Sequence, residues 1–152
     1  SFLKLIYSKN DLYIYQVDKN HKSESNYTIN AKELPSQIGI VDGNSRKANS
    51  EINKSGYLTF GPYLELLPGK YKFTILYESS QNYNLEVGFY DIVINQKVIS
   101  QDKIYGTNSK EINLDGLFTI PESSNKNIVE IRNFYNGIGD LTIKELSITK
   151  VD

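Results

Sequence analysis

The sequence predicts an all-β domain, an antiparallel two-sheet β-sandwich of jelly-roll type, and three observations carry the prediction. Twelve tyrosines and six phenylalanines stand among many Ile, Val and Thr while alanine is scarce, a composition that favours strands over helices. In Tyr71-Lys72-Phe73-Thr74-Ile75-Leu76-Tyr77-Glu78 the odd positions are aromatic or branched and most even ones polar, the two-residue repeat of a half-buried strand. Short segments of this kind are divided by closely spaced turn signals, and no long stretch shows the 3.6-residue period of a helix.

Along the chain, Leu12 to Val17 is the first strand candidate. Asp18 to Asn26 is polar except for the imidazole of His21 and reads as a mobile loop. Ile29 to Leu34 has room for one helical turn, which Pro35 stops. Gly39 to Val41 and Tyr57 to Phe60 read as strands, the first closed by the turn Asp42-Gly43-Asn44. At Gly61-Pro62 the chain must bend sharply, because proline cannot donate to a ladder, and the bend re-aims Tyr63 across a sheet edge. Pro68-Gly69 supplies type II turn geometry ahead of Tyr71. Leu85, Val87 and Phe89 repeat the alternation and continue into Ile92-Val93-Ile94. On that phase Asp91 falls on the apolar face, where a carboxylate needs a partner such as Arg132. Lys97 to Ser100, Glu111 to Ile120 with a break near Asp115-Gly116, Ile128 to Phe134, and Leu141 to Thr149 complete the set.

At 152 residues the chain makes one domain, residues 1–152, and such a chain hides about 70% of its unfolded surface without a staple. It contains no methionine and opens Ser1-Phe2-Leu3, so it is expected to be a piece excised from a longer protein. The lack of cysteine removes disulfides, thiolate metal sites and thiol catalysis together and leaves the redox compartment open. Seventeen basic against eighteen acidic residues provide no sequence-wide field for phosphate backbones or anionic lipid, so nucleic acid is not an expected partner. No apolar run approaches the ~18 residues of a spanning helix, and Phe2 to Tyr7 lacks the length and cleavage flank of a signal peptide, so no membrane insertion is expected of this fragment.

Two adjoining segments carry a resemblance. Leu34-Pro35-Ser36-Gln37-Ile38-Gly39 is followed by Val41-Asp42-Gly43, Arg46 and Ala48; then comes Gly56-Tyr57-Leu58-Thr59-Phe60-Gly61-Pro62-Tyr63, with Leu66, Gly69 and Tyr71. In order and spacing this resembles the C-terminal accessory β-sandwich domain, similar to carbohydrate-binding modules, of bacterial cell-envelope glycosyltransferases. Ser36 and Phe60 depart mildly from that pattern, Gly137-Ile138-Gly139-Asp140-Leu141 extends it, and the likeness spans roughly residues 31 to 150. It implies a jelly-roll module near polysaccharide chemistry, on the periplasmic or extracytoplasmic face of a bacterial membrane protein. The implied partners are a carbohydrate or lipid-linked sugar and the parent glycosyltransferase domain. It brings no agreed set of binding residues.

A sugar site needs aromatic rings for the apolar face of a pyranose and planar polar groups for its hydroxyls. Two clusters offer both: Arg132, Asn133, Phe134, Tyr135, Asn136 and Asp140 at a strand end and its loop, and Gln37, Asp42 and Arg46 around an early turn. Tyr63 or Tyr90 can join either. The candidate carbohydrate-binding residues are therefore Gln37, Arg46, Tyr63, Arg132, Tyr135, Asn136 and Asp140. The competing reading makes Tyr63 and Tyr71 core residues with a bonded hydroxyl, and has Gln37 and Arg132 bonding loop backbone.

Other chemistries find less support. Loop acids Asp18, Asp42 and Asp140 leave a structural calcium open, but no dense acidic loop is present and no cofactor is expected. His21 is the single histidine, in a polar stretch, which suits neither a triad base nor a zinc site. A glycosidase needs two facing carboxylates, and among Glu65, Glu86, Asp91, Glu111 and Glu130 no spacing singles out a pair. Gly137-Ile138-Gly139 does not open a helix, so it is no phosphate loop. The sequence thus points to a non-catalytic accessory domain that binds carbohydrate. The alternatives are a structural domain packed on its parent enzyme and, more remotely, a glycoside hydrolase.

Overall fold

The computed structural model describes residues 3–9, 12–17, 26–122 and 126–151. Of the expected loop from Asp18 to Asn26, residues 18–25, with His21 and Asp18 among them, lie outside the described residues, and Asn26 belongs to a strand instead. The strands are β1 (Leu3–Lys9), β2 (Leu12–Val17), β3 (Asn26–Asn30), β4 (Ile40–Asp42), β5 (Ser45–Asn49), β6 (Gly56–Thr59) and β7 (Pro62–Glu65). They continue as β8 (Gly69–Glu78), β9 (Glu86–Ile94), β10 (Lys97–Tyr105), β11 (Ile112–Ile120), β12 (Ile128–Tyr135) and β13 (Asp140–Lys150). A 3₁₀ turn, Ala31–Glu33, stands where one helical turn is expected before Pro35.

Two antiparallel sheets make the sandwich. One runs β10-β9-β12-β6, with β7 also pairing β12; the other runs β11-β8-β13-β5-β4, with β3 also pairing β13. β1 and β2 pair with each other as a separate two-stranded sheet. Apolar residues from both sheets fill the space between: Phe73, Ile75, Ile143 and Ile148 from one, Leu58, Ile92, Ile131 and Tyr135 from the other, each at most 1% exposed. The rings of Phe73 and Tyr90 meet across the layers at 5.3 Å. β8 shows the driving pattern most plainly, with Tyr71, Phe73, Ile75 and Tyr77 buried in alternation.

The pleat of β12 decides which of its side chains reach the outer surface. Val129, Ile131, Asn133 and Tyr135 are buried, while Ile128, Glu130, Arg132 and Phe134 are half-buried on that surface. β9 departs from the simple alternation that the sequence suggests. Its pairing with β10 skips from Gly88 to Glu86, leaving Val87 as the extra residue of a bulge. Beyond that bulge Tyr90, Ile92 and Ile94 take the core side. Phe89 and Asp91 therefore turn outward, beside Phe134 and Arg132 on β12. Asp91 is buried as expected, but beneath Arg132 on the outer face instead of within the apolar core.

Three further expectations change. β11 is unbroken through Asp115-Gly116, because Gly116 lets the Phe73 ring lie against the strand where a Cβ would stand 2.3 Å from it. Gly69 opens β8 at φ +146 and so is not the central residue of a type II turn, which needs about +80. β1, β3, β5 and β7 are strands that the alternation alone does not reveal; β1 pairs β2, and the other three are short and pair β13 or β12.

Candidate functional site

A groove runs over the outer surface of the five-stranded sheet where β6, β7 and β12 meet. Residues 35–38 lie alongside β6: Gln37 and Ile38 donate backbone N–H bonds to Tyr57 O, and Phe60 N donates to Pro35 O. The Gln37 carboxamide accepts from Tyr57 N at 3.1 Å, which fixes the side chain at the groove wall. The chain then bends at Gly61-Pro62, and Tyr63 follows with φ +63, a left-handed conformation uncommon outside glycine. That bend leaves Tyr63 49% exposed, against the reading that makes it a core residue. Tyr71, by contrast, is buried with its hydroxyl donating to Leu67 O at 2.8 Å, as expected of a core tyrosine.

The groove holds two adjoining depressions. One, of about 250 Å³, is lined by Gln37, Tyr57, Phe60, Tyr63, Glu130 and Arg132. The other, of about 260 Å³, is lined by Tyr63, Asn95, Gln96, Ile128 and Glu130. Tyr63 and Glu130 belong to both and form the wall between them. Burial and the neighbouring Glu130 charge, with a hydrogen bond to that carboxylate, hold the Tyr63 phenol above its ordinary pKa.

Beneath the groove is a fixed floor. Arg132 grips Asp91 with two parallel bonds, Nε to Oδ1 at 2.7 Å and Nη2 to Oδ2 at 2.6 Å. The hydrogen bond to Asp91 raises the Arg132 pKa further, so the guanidinium stays charged. Its Cζ sits 4.8 Å from the centroid of the Tyr57 ring, within cation–π range. Tyr57 in turn meets Phe134 edge-on at 5.2 Å, and Phe134 stacks on Phe89 at 4.7 Å. The aromatic row and the ion pair brace one another, so these half-buried rings are pre-set in position.

Of the seven residues singled out from sequence, the structure brings Gln37, Tyr63 and Arg132 together here. The other four lie elsewhere and are engaged internally. Arg46 donates to the carbonyls of Lys32 and Leu34 beside the 3₁₀ turn. Tyr135 is fully buried, its hydroxyl donating to Gly139 O at 2.7 Å. Asn136 caps its own turn, accepting from Ile138 N and donating to Glu86 O. The Asp140 carboxylate accepts from the backbone and hydroxyl of Ser80 and from Gln81. The strand pleat explains the split: Arg132 and Phe134 face out where Asn133 and Tyr135 face in. Among the described residues no group of three acidic or histidine side chains is placed to hold a metal ion.

Tyr57, Phe60 and Glu130 are groove residues that the sequence reading did not select. The signal for Glu130 was present, since Glu130, Arg132 and Phe134 share a parity on one strand. Tyr57 and Phe60 have no such signal, because their place in the groove depends on residues 35–38 lying beside β6.

No family model matches the chain, and no curated protein matches it. Solved structures do. A family 35 carbohydrate-binding module from Clostridium thermocellum is similar with TM-score 0.54 and 12% identity over 84% of this chain and 99% of that one. The C-terminal CBM6 of LamC, a laminarinase from Zobellia galactanivorans, is similar with TM-score 0.51 and 13% identity over 82% and 99%. The module CBM6cm-2 of Cellvibrio mixtus lichenase 5A, solved in complex with cellotriose, is similar with TM-score 0.50 and 14% identity over 83% and 98%. At these identities the likeness establishes the fold: the chain is an antiparallel two-sheet β-sandwich of the kind those modules share.

Proposed function

We propose that this chain is a non-catalytic carbohydrate-binding domain and that the groove on the five-stranded sheet is its binding surface. The observation that carries the reading is the convergence of the half-buried Tyr57 and Phe60 rings and the exposed Tyr63 ring with Gln37, Glu130 and Arg132 in one depression. Rings take the apolar face of a pyranose, and the amide, carboxylate and guanidinium take its hydroxyls. Two depressions that share Tyr63 and Glu130 suit a chain of sugars better than a single residue. The similar Cellvibrio mixtus module carries cellotriose, which makes neutral oligosaccharides the first ligands to test. Hydrolysis is disfavoured at this place because both oxygens of Asp91 are held by Arg132 and are not free to protonate a leaving group.

The test is titration of the chain with cellotriose and longer neutral oligosaccharides while following tyrosine resonances. Shifts confined to Tyr57 and Tyr63 are expected; no shift with any oligosaccharide at millimolar concentration overturns the reading. Tyr63→Gly separates binding from folding. Removing a half-exposed ring while relieving a left-handed backbone, a penalty of about 1 kcal/mol, should leave the melting temperature unchanged or slightly raised. The same variant should bind roughly tenfold more weakly, the loss expected for one stacking ring.

The narrower reading, an accessory module of a bacterial envelope glycosyltransferase at the extracytoplasmic face, is supported by the motif order across roughly residues 31 to 150. Identification of the polypeptide that continues from this chain tests it directly: a glycosyltransferase domain is expected, and an unrelated enzyme overturns it.

A further inference from the structure

We infer that the groove selects glycans bearing a free, protonated amino group, with the Glu130 carboxylate as the counter-ion of the ammonium. The inference rests on the carbohydrate reading and adds to it the charge class of the ligand.

Glu130 stands two residues before Arg132 on β12, with its side chain on the same outer surface. Arg132 is the cation nearest to hand along that strand, and it does feel the Glu130 charge. Its fork, however, is spent on Asp91 in a bidentate pair. Among the described residues no lysine or arginine forms an ion pair with Glu130. What Glu130 has beside it is the neutral Tyr63 phenol, which leaves its charge uncompensated. The groove therefore carries two carboxylates against one guanidinium, Asp91 and Glu130 against Arg132, and the uncompensated charge is negative.

The position of that charge is what makes it selective. Glu130 lies in the wall shared by the two depressions, so a sugar chain running through both must pass it. A uronic acid at that point meets like-charge repulsion. A neutral sugar offers only hydroxyls. An amino sugar offers a charge-assisted hydrogen bond, stronger than a neutral one by roughly a factor of two. The exposed Tyr63 ring, which lines both depressions, adds attraction for a cation near its face.

Calorimetric titration of the 152-residue chain at about pH 6, where an ordinary glutamate is ionised and an amine protonated, separates the outcomes. The probes are a β-1,4-glucosamine hexamer, its N-acetylated counterpart, a neutral glucose hexamer and a galacturonic acid hexamer. The glucosamine hexamer should bind about tenfold more tightly than the N-acetylated one, and the galacturonic hexamer most weakly. Glu130→Gln, which keeps the shape and the Tyr63 contact, should bring the ratio of the first two affinities to about one. Equal affinities in the wild-type chain, or a preference that survives in Glu130→Gln, overturn the charge selection while leaving a neutral glycan site in place. Failure of every hexamer to bind overturns both readings together.

Discussion

Arg132→Ala is expected to lower the melting temperature by roughly 10 °C and to abolish glycan binding in the groove. The side chain of Asp91 is 3% exposed and Arg132 is its ion-pair partner. Removing the guanidinium strands a charge that water reaches poorly, a cost of about 3 kcal/mol for a buried pair broken on one side. For a chain of this length each kcal/mol moves the midpoint by about 2–4 °C. Loss of the cation under the Tyr57 ring adds a smaller increment and frees that ring to leave its binding position. The double variant Asp91→Ala/Arg132→Ala should recover part of the stability, because no lone charge remains, yet none of the binding. Thermal melts of the single and double variants decide the matter. If Arg132→Ala melts with the wild type, the pair is not holding the outer face together.

Gly88→Ala should be strongly destabilising, a single methyl with nowhere to go. A Cβ at Gly88 stands 2.1 Å from the carbonyl oxygen of Phe134, which is backbone and cannot swing away. Gly88 sits beside the Val87 bulge, opposite Ile104 on β10 and Tyr135 on β12, so relief requires β9 and β12 to separate. Overpacking of this kind costs roughly 3 kcal/mol or more. Because the strands parting are those that carry Phe89 and Phe134, the aromatic row behind Tyr57 should loosen as well. Gly43→Ala is the control: nothing lies within 4 Å of its Cβ, and only the φ of +59 is unfavourable, a cost of about 1 kcal/mol. Equal destabilisation of the two variants in denaturant titrations would contradict the close approach at Gly88.

The bulge that makes Gly88 sensitive also marks where reading the sequence stopped succeeding. From Leu85 to Val93 the alternation is regular, and it puts Phe89 and Asp91 with Val87 on one face. A bulge has no side-chain signature here, since the extra residue, Val87, is as apolar as its neighbours. The pairing of Asp91 with Arg132 was nonetheless legible, because a carboxylate in an apolar stretch must find a cation. Which surface the pair occupies was not. The cluster from Arg132 to Asp140 shows the opposite failure: residues adjacent in sequence were grouped, although the pleat sends alternate ones to opposite sides.

Sequence alone determined the class of this protein: extended segments with one apolar flank, divided by turns, can bury that flank only by packing two sheets. That information is local, carried by a two-residue period and by the turn residues between strands. Tertiary structure alone decided which flank of β9 faces out, that residues 35–38 lie along β6, and that Tyr57, Phe60, Tyr63 and Glu130 share one groove. Those outcomes depend on ladders between strands distant in the chain and on a single inserted residue that inverts the faces after it. No periodicity within a strand encodes them, because a pleat records its own alternation and not the identity of its neighbour.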